Sequence, residues 1–100
     1  MSVRRDELDE LADEMRAFIV PRGNCPPEEL AAHESAIKSR ETIWLVEGLS
    51  LRAQSDDILL PDGVMSKFAA LAEKFDMEKE FDELREHQEA LKKRLSDASA

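Results

Sequence analysis

Two histidines each follow a glutamate by four residues, Glu29/His33 and Glu83/His87. On a helix that spacing puts each pair on one face, and two such pairs on facing helices would offer four nitrogen and oxygen ligands to a divalent cation. Dinuclear carboxylate bundles use Glu-x-x-His with further inward carboxylates, a spacing this chain lacks. His33 falls on a Leu30/Ile37 stripe and His87 beside Leu84/Leu91, so both read as hydrogen-bonded histidines at the edge of a core, and no metal or cofactor is expected. Cys25, the only thiol, pairs with a histidine as nucleophile and base only by count, because no orienting group stands at a recognisable spacing. No catalytic residue is assigned. The three glycines, Gly23, Gly48 and Gly63, are too far apart to cradle a phosphate.

The densest feature is Asp6-Glu7-Leu8-Asp9-Glu10-Leu11-Ala12-Asp13-Glu14, six carboxylates in nine residues. On a helix, Asp6, Asp9, Glu10 and Asp13 cluster opposite a Leu8/Leu11/Met15/Phe18 stripe, with Glu7 and Glu14 flanking. An i to i+4 step rises about 6 Å, so Asp6 and Glu10 stand roughly as neighbouring phosphates do on one nucleic-acid strand. Such a row could substitute for phosphates on a basic protein surface, and Asp6, Asp9, Glu10, Asp13 and Glu14 are the candidate partner-binding residues. The simpler reading is a solvated outer face with local Arg5–Asp9 and Asp13–Arg16 pairs.

Four helical patterns would position these groups. The first runs from about Val3 to Ile19 on the stripe just named, widened by Ala12 and Ile19, and stops at Val20-Pro21-Arg22-Gly23-Asn24-Cys25-Pro26-Pro27. The second opens at Pro27, with Glu28 and Glu29 in its first turn, and carries Leu30, Ile37, Trp44 and Leu51 at seven-residue steps. From Ile43 to Leu51 apolar residues cover nearly the whole circumference, which predicts the centre of the core. Gly48 inside that stretch, costing about 1 kcal/mol against Ala, predicts close helix packing or a break.

Ser55-Asp56-Asp57 ends the pattern, and Ile58-Leu59-Leu60 before Pro61 reads as an extended apolar plug at one end of a bundle. Asp62 is the expected N-cap of a third helix with the stripe Val64, Phe68, Leu71, Phe75. The phase changes near Asp76, after which Met77, Phe81, Leu84, Gln88, Leu91 and Leu95 form a 4-3 seam whose polar Gln88 resembles the register-setting residues of coiled coils. Lys92, Lys93 and Arg94 suit a last turn, and Ser96 to Ala100 reads as a frayed tail. The expectation is an all-α fold, a compact bundle of three to four helices in one domain over residues 1–100. The seam could serve within the monomer or in a homodimer.

The chain has 100 residues, 23 Asp+Glu against 14 Lys+Arg, and a net charge of −9. Leu, Ile, Val and Phe supply 24 residues, enough for a folded core despite the charge. Six acids oppose four bases in residues 1–24, seven oppose three in 25–60 and ten oppose seven in 61–100, so the excess is spread along the chain. This balance argues against direct binding to nucleic acid or to anionic membranes, whose affinity comes from Lys and Arg. A helix-turn-helix forced onto Ser55 to Phe75 would offer only Ser66, Lys67 and Lys74 to a phosphate backbone. A single cysteine, no apolar leader and no membrane-length apolar run predict a soluble cytoplasmic protein.

In size, charge and the Asp6 to Glu14 run, the chain resembles small acidic inhibitors made by phages and mobile elements, the anti-CRISPR and anti-restriction proteins. The resemblance implies a non-enzymatic protein that docks on the basic surface of a protein or nucleoprotein complex and blocks its access to nucleic acid. The alternative is a helical adaptor, chaperone or assembly subunit that holds a partner helix through the 77 to 95 seam. Steep salt dependence would mark the first, and salt-insensitive association the second.

Overall fold

A computed structural model describes residues 6–99 as five helices: α1 Glu7–Ile19, α2 Pro27–Lys38, α3 Thr42–Ser55, α4 Asp62–Lys74 and α5 Glu78–Ser99. The class is all-α as expected, with five helices among the described residues where the sequence predicts three to four. Helix α1 packs on α3 and α4, and α5 packs on the same two, so these four close a ring around the core while α2 lies against α3. Leu8, Leu11, Met15 and Ile19 of α1, Leu45, Val46, Leu49 and Ala53 of α3, Val64, Phe68 and Leu71 of α4 and Leu84 of α5 belong to one buried cluster. The Phe68 and Phe81 rings meet at 5.3 Å, tilted by 59°, and join α4 to α5.

Helix α1 begins later than its pattern suggests. Asp6 is extended and caps the helix: its carboxylate accepts the Asp9 N–H at 3.0 Å, and the Asp9 carboxylate accepts the Asp6 N–H at 3.2 Å. Two of the donors that a helix start leaves without partners are thereby satisfied reciprocally. The residues before Asp6, with Val3 and the expected Arg5–Asp9 pair, lie outside the described residues.

The second helical pattern is broken into two helices, which the sequence does not announce. Arg40 adopts φ +58° and reverses the chain between α2 and α3. The Glu41 N–H then reaches Ala36 O at 2.8 Å and the Arg40 N–H reaches Ile37 O at 3.3 Å, the paired bonds of a Schellman stop. The same stop recurs twice. Asp57 at φ +50° ends α3, with Ile58 N–H on Ala53 O and Asp57 N–H on Gln54 O. Asp76 at φ +57° ends α4, with Met77 N–H on Ala72 O and Asp76 N–H on Glu73 O. In each case a buried alanine supplies the outermost accepting carbonyl, and a non-glycine residue takes the left-handed position.

The break at Arg40 moves the core. Ile37, Trp44 and Leu51, expected on a buried stripe, are exposed by 42%, 50% and 59%, and Ile43 is also exposed. Helix α3 instead buries Leu45, Val46, Leu49, Ser50 and Ala53, so Trp44 and Leu51 project from the opposite side. Gly48 neither breaks α3 nor packs closely: a Cβ placed there meets nothing within 4 Å. A different glycine is the one confined by its neighbours. After α1, the loop lies against the end of α3, and a Cβ on Gly23 would stand 2.9 Å from Asp56 Oδ2 and 3.2 Å from Ile58 Cδ1.

The plug joins the core as expected, with Ile58 and Leu60 buried. Gln88 holds it in place: its Nε2 donates to Ile58 O at 2.9 Å and its Oε1 accepts the Leu60 N–H at 2.7 Å. The polar residue of the seam thus sets a register within this chain. Pro61, extended, occupies the cap position of α4, and Asp62 follows it without capping; its carboxylate receives Lys92 Nζ at 3.0 Å. Helix α5 continues to Ser99 because Ser96-Asp97-Ala98 contains no breaker, so the described part of the segment expected as a frayed tail is helical, and the side chains from Lys92 to Ala98 are exposed.

Candidate functional site

The five candidate carboxylates of α1 are held by one helix but differ in their commitments. Asp6 and Asp9 form the cap, and Asp9 Oδ1 also accepts the Thr42 hydroxyl at 2.6 Å, tying the start of α1 to the start of α3. Glu14 receives Lys67 Nζ from α4 at 2.8 Å. That pairing raises the Lys67 pKa, the hydrogen bond from Glu14 being the largest cause. Glu10 and Asp13 are exposed on the face opposite the buried Leu8/Leu11/Met15 stripe. Glu7, Glu10 and Asp13 are exposed along α1, while Asp6 and Asp9 are engaged in the cap and Glu14 in the bond from Lys67. Arg16 reaches across to Glu34 of α2.

The cleft beside this face, between α1 and α4, encloses about 510 Å³. Its wall carries Phe18, Val64, the Glu14–Lys67 pair and Arg22, whose guanidinium stacks over the Phe18 ring at 3.7 Å. Glu14 and Lys67 neutralise each other there, and Arg22 adds a cation that donates to Phe18 O at 2.9 Å.

The two Glu/His pairs have separate fates. Arg52 of α3 clamps Glu29 through two bonds of 2.7 and 2.9 Å and holds its carboxyl below the usual range. His33 is buried with its Nδ1 lacking a hydrogen-bond partner, and burial pushes its pKa down. His87 Nε2 instead meets Asp57 Oδ1 at 2.9 Å. Asp57 also pairs with Arg94, and these two partners lower its pKa. Among the described residues no group of three or more His, Cys, Asp or Glu converges as a metal site would require. Burial, followed by a hydrogen bond with Glu29, raises the Cys25 pKa and keeps the thiol protonated, the opposite of what activates a nucleophile.

Sequence reasoning missed the outer face of α3. Its signal was present in two features read differently: an apolar run covering the whole circumference from Ile43 to Leu51, and a glycine inside it. One helix can bury only part of its circumference against a single ring of neighbours, so the surplus apolar residues, Trp44 and Leu51, must face outward. The seam on α5 is largely consumed: Met77, Leu84, Gln88 and Leu91 are buried and Phe81 is half-buried.

No protein-family model matches this chain, and no match was found to a curated protein or to a solved structure. Among the described residues no helix is long and apolar enough to cross a membrane.

Proposed function

We propose that this chain is a non-enzymatic, cytoplasmic inhibitor, similar to the anti-CRISPR and anti-restriction proteins, that sets carboxylates against the basic surface of a nucleic-acid-binding complex. The observation that carries the reading is the row of Glu10 and Asp13 on the solvent side of α1, flanked by Glu7, on a helix whose start is fixed by the Asp6/Asp9 cap and the Thr42 bond. A rigid row loses little entropy on docking, and charges at helical spacing steer encounter with a basic patch. No cofactor takes part.

The test is capture from a nuclease-treated bacterial lysate, followed by assay of the captured complex for nucleic-acid binding with and without this chain. The expected result is competition that weakens steeply with salt and is lost in Glu10→Lys/Asp13→Lys, a variant that leaves the cap intact. Competition unaffected by salt and by that variant would refute the proposal.

An adaptor role is the second reading. It does not draw on the 77 to 95 seam, whose apolar side chains lie mostly inside this chain, and the same burial weakens a homodimer built on the seam. What favours it is the exposed α3 face.

A further inference from the structure

We infer that the outer face of α3, with the adjoining edge of α5, is a docking surface for a cationic amphipathic helix of a partner protein. Trp44 and Leu51 stand seven residues apart, two turns and about 10 Å along the axis, on the side of α3 turned away from the core. They are large apolar side chains exposed by 50% and 59%, and Gly48 lies between them on the same face. A glycine in mid-helix costs about 1 kcal/mol relative to alanine, and nothing inside this chain accounts for it, since the space above it is open to 4 Å. A gap of that kind between two apolar knobs lets the side chains of a second helix approach the α3 backbone, which is how small residues act at helix crossings.

Charge selects the occupant. A groove of about 130 Å³ beside Leu51 has Glu47 of α3 and Glu80 and Glu83 of α5 in its wall, with no cation among its lining residues. None of these three carboxylates has a Lys, Arg or His within 4.0 Å among the described residues. Glu47 also lines the adjoining hollow around Trp44, together with Glu41 and one basic residue, Arg40. An apolar ridge bordered by unneutralised acids is complementary to a helix with leucines on one face and Lys or Arg beside them. A second copy of this chain would bring acids against acids, and an anionic bilayer would be repelled in the same way. The inference does not depend on α1, whose carboxylates lie on another helix.

Trp44 is the only tryptophan and the chain has no tyrosine, so indole emission reads this face directly. The probe is a synthetic helical peptide of leucine and lysine, amphipathic in one version and scrambled to the same composition in the other. Titration of the full chain with the amphipathic peptide is expected to shift Trp44 emission to shorter wavelength, and the scrambled peptide to leave it unchanged. Leu51→Lys should weaken binding about tenfold or more, the size expected from losing one well-buried aliphatic contact, and Gly48→Leu should weaken it comparably by filling the gap through which the second helix approaches. Glu80→Lys/Glu83→Lys should also weaken it, while Glu10→Lys/Asp13→Lys should not; circular dichroism establishes that each variant is folded. An equal response to the scrambled peptide, or binding indifferent to Leu51 and Gly48, overturns the proposal. So does a blue shift that grows with protein concentration alone, which assigns the face to a second copy, or one produced only by lipid vesicles.

Discussion

The Gln88 side chain and the Leu60 backbone are joined across α5 and the plug: Gln88 Oε1 accepts the Leu60 N–H at 2.7 Å, and both residues are buried. The same amide donates to Ile58 O, so one side chain satisfies the two backbone groups an extended segment presents to the core. Replacing it with leucine strands a buried N–H and a buried carbonyl. Gln88→Leu is expected to lose about 2–4 kcal/mol, and Gln88→Glu to retain the bond from Leu60 but lose the one to Ile58. Urea unfolding of the two variants and the parent checks the order.

Gly23→Ala tests the contact between the loop after α1 and the end of α3. The added methyl would meet Asp56 Oδ2, which accepts the Asn24 N–H at 2.7 Å, and the Ile58 side chain. A loss of about 1–2 kcal/mol is expected, from overpacking and a disturbed hydrogen bond. Gly48→Ala, by contrast, should gain up to about 1 kcal/mol, since it removes a helix-interior glycine without a clash. Melting temperatures moving in opposite directions would confirm the pair.

Arg40 carries the left-handed strain of the first Schellman stop on a side chain with no Asp- or Asn-like tolerance for that conformation. Arg40→Gly should stabilise the fold by a few tenths to about 1 kcal/mol, relief of strain exceeding the added entropy of the unfolded chain. Thermal unfolding of Arg40→Gly against Arg40→Ala reads it, with glycine the more stable.

Acid sensitivity should begin at His33. Its pKa is depressed in the fold by burial, with Arg16 and Arg52 acting in the same sense and Glu29 and Glu34 opposing. A group whose folded pKa lies below its unfolded value contributes stability above the unfolded pKa, near 6.5, and that contribution is lost as pH falls towards the folded value. Stability is therefore expected to decline below about pH 6.5, before Glu29 and Asp57, whose own depressed pKa values act further into the acid range, take over. His33→Leu should flatten the first decline while leaving the second, measured as unfolding midpoint against pH. An unchanged slope between pH 7 and 5.5 would rule His33 out as the cause.

The helices with a continuous 3.6-residue period were legible: α1 from its leucines, α4 from Val64, Phe68 and Leu71, and α5 from its seam. The break at Arg40 was not, because a Schellman stop is recognised by glycine and here arginine takes its place. Without that break, residues 30, 37, 44 and 51 look like one buried stripe, and the outward face of α3 reads as core. The α1 carboxylates were legible as a row on a helix. Their division was not, since the Glu14–Lys67 pair and the Thr42 bond to Asp9 join residues far apart in sequence and depend on how α1 meets α4 and α3.

The closed ring of α1, α3, α5 and α4 orders events during synthesis. Helix α1 leaves the ribosome first, yet its packing partners are α3 and α4, the latter complete only at Lys74. At about 5–20 residues per second, the Leu8/Leu11/Met15 stripe waits several seconds with no neighbour to cover it. Through that interval the dense carboxylates of the same helix set like charge against like on neighbouring nascent copies, which opposes aggregation of an unpaired amphipathic segment.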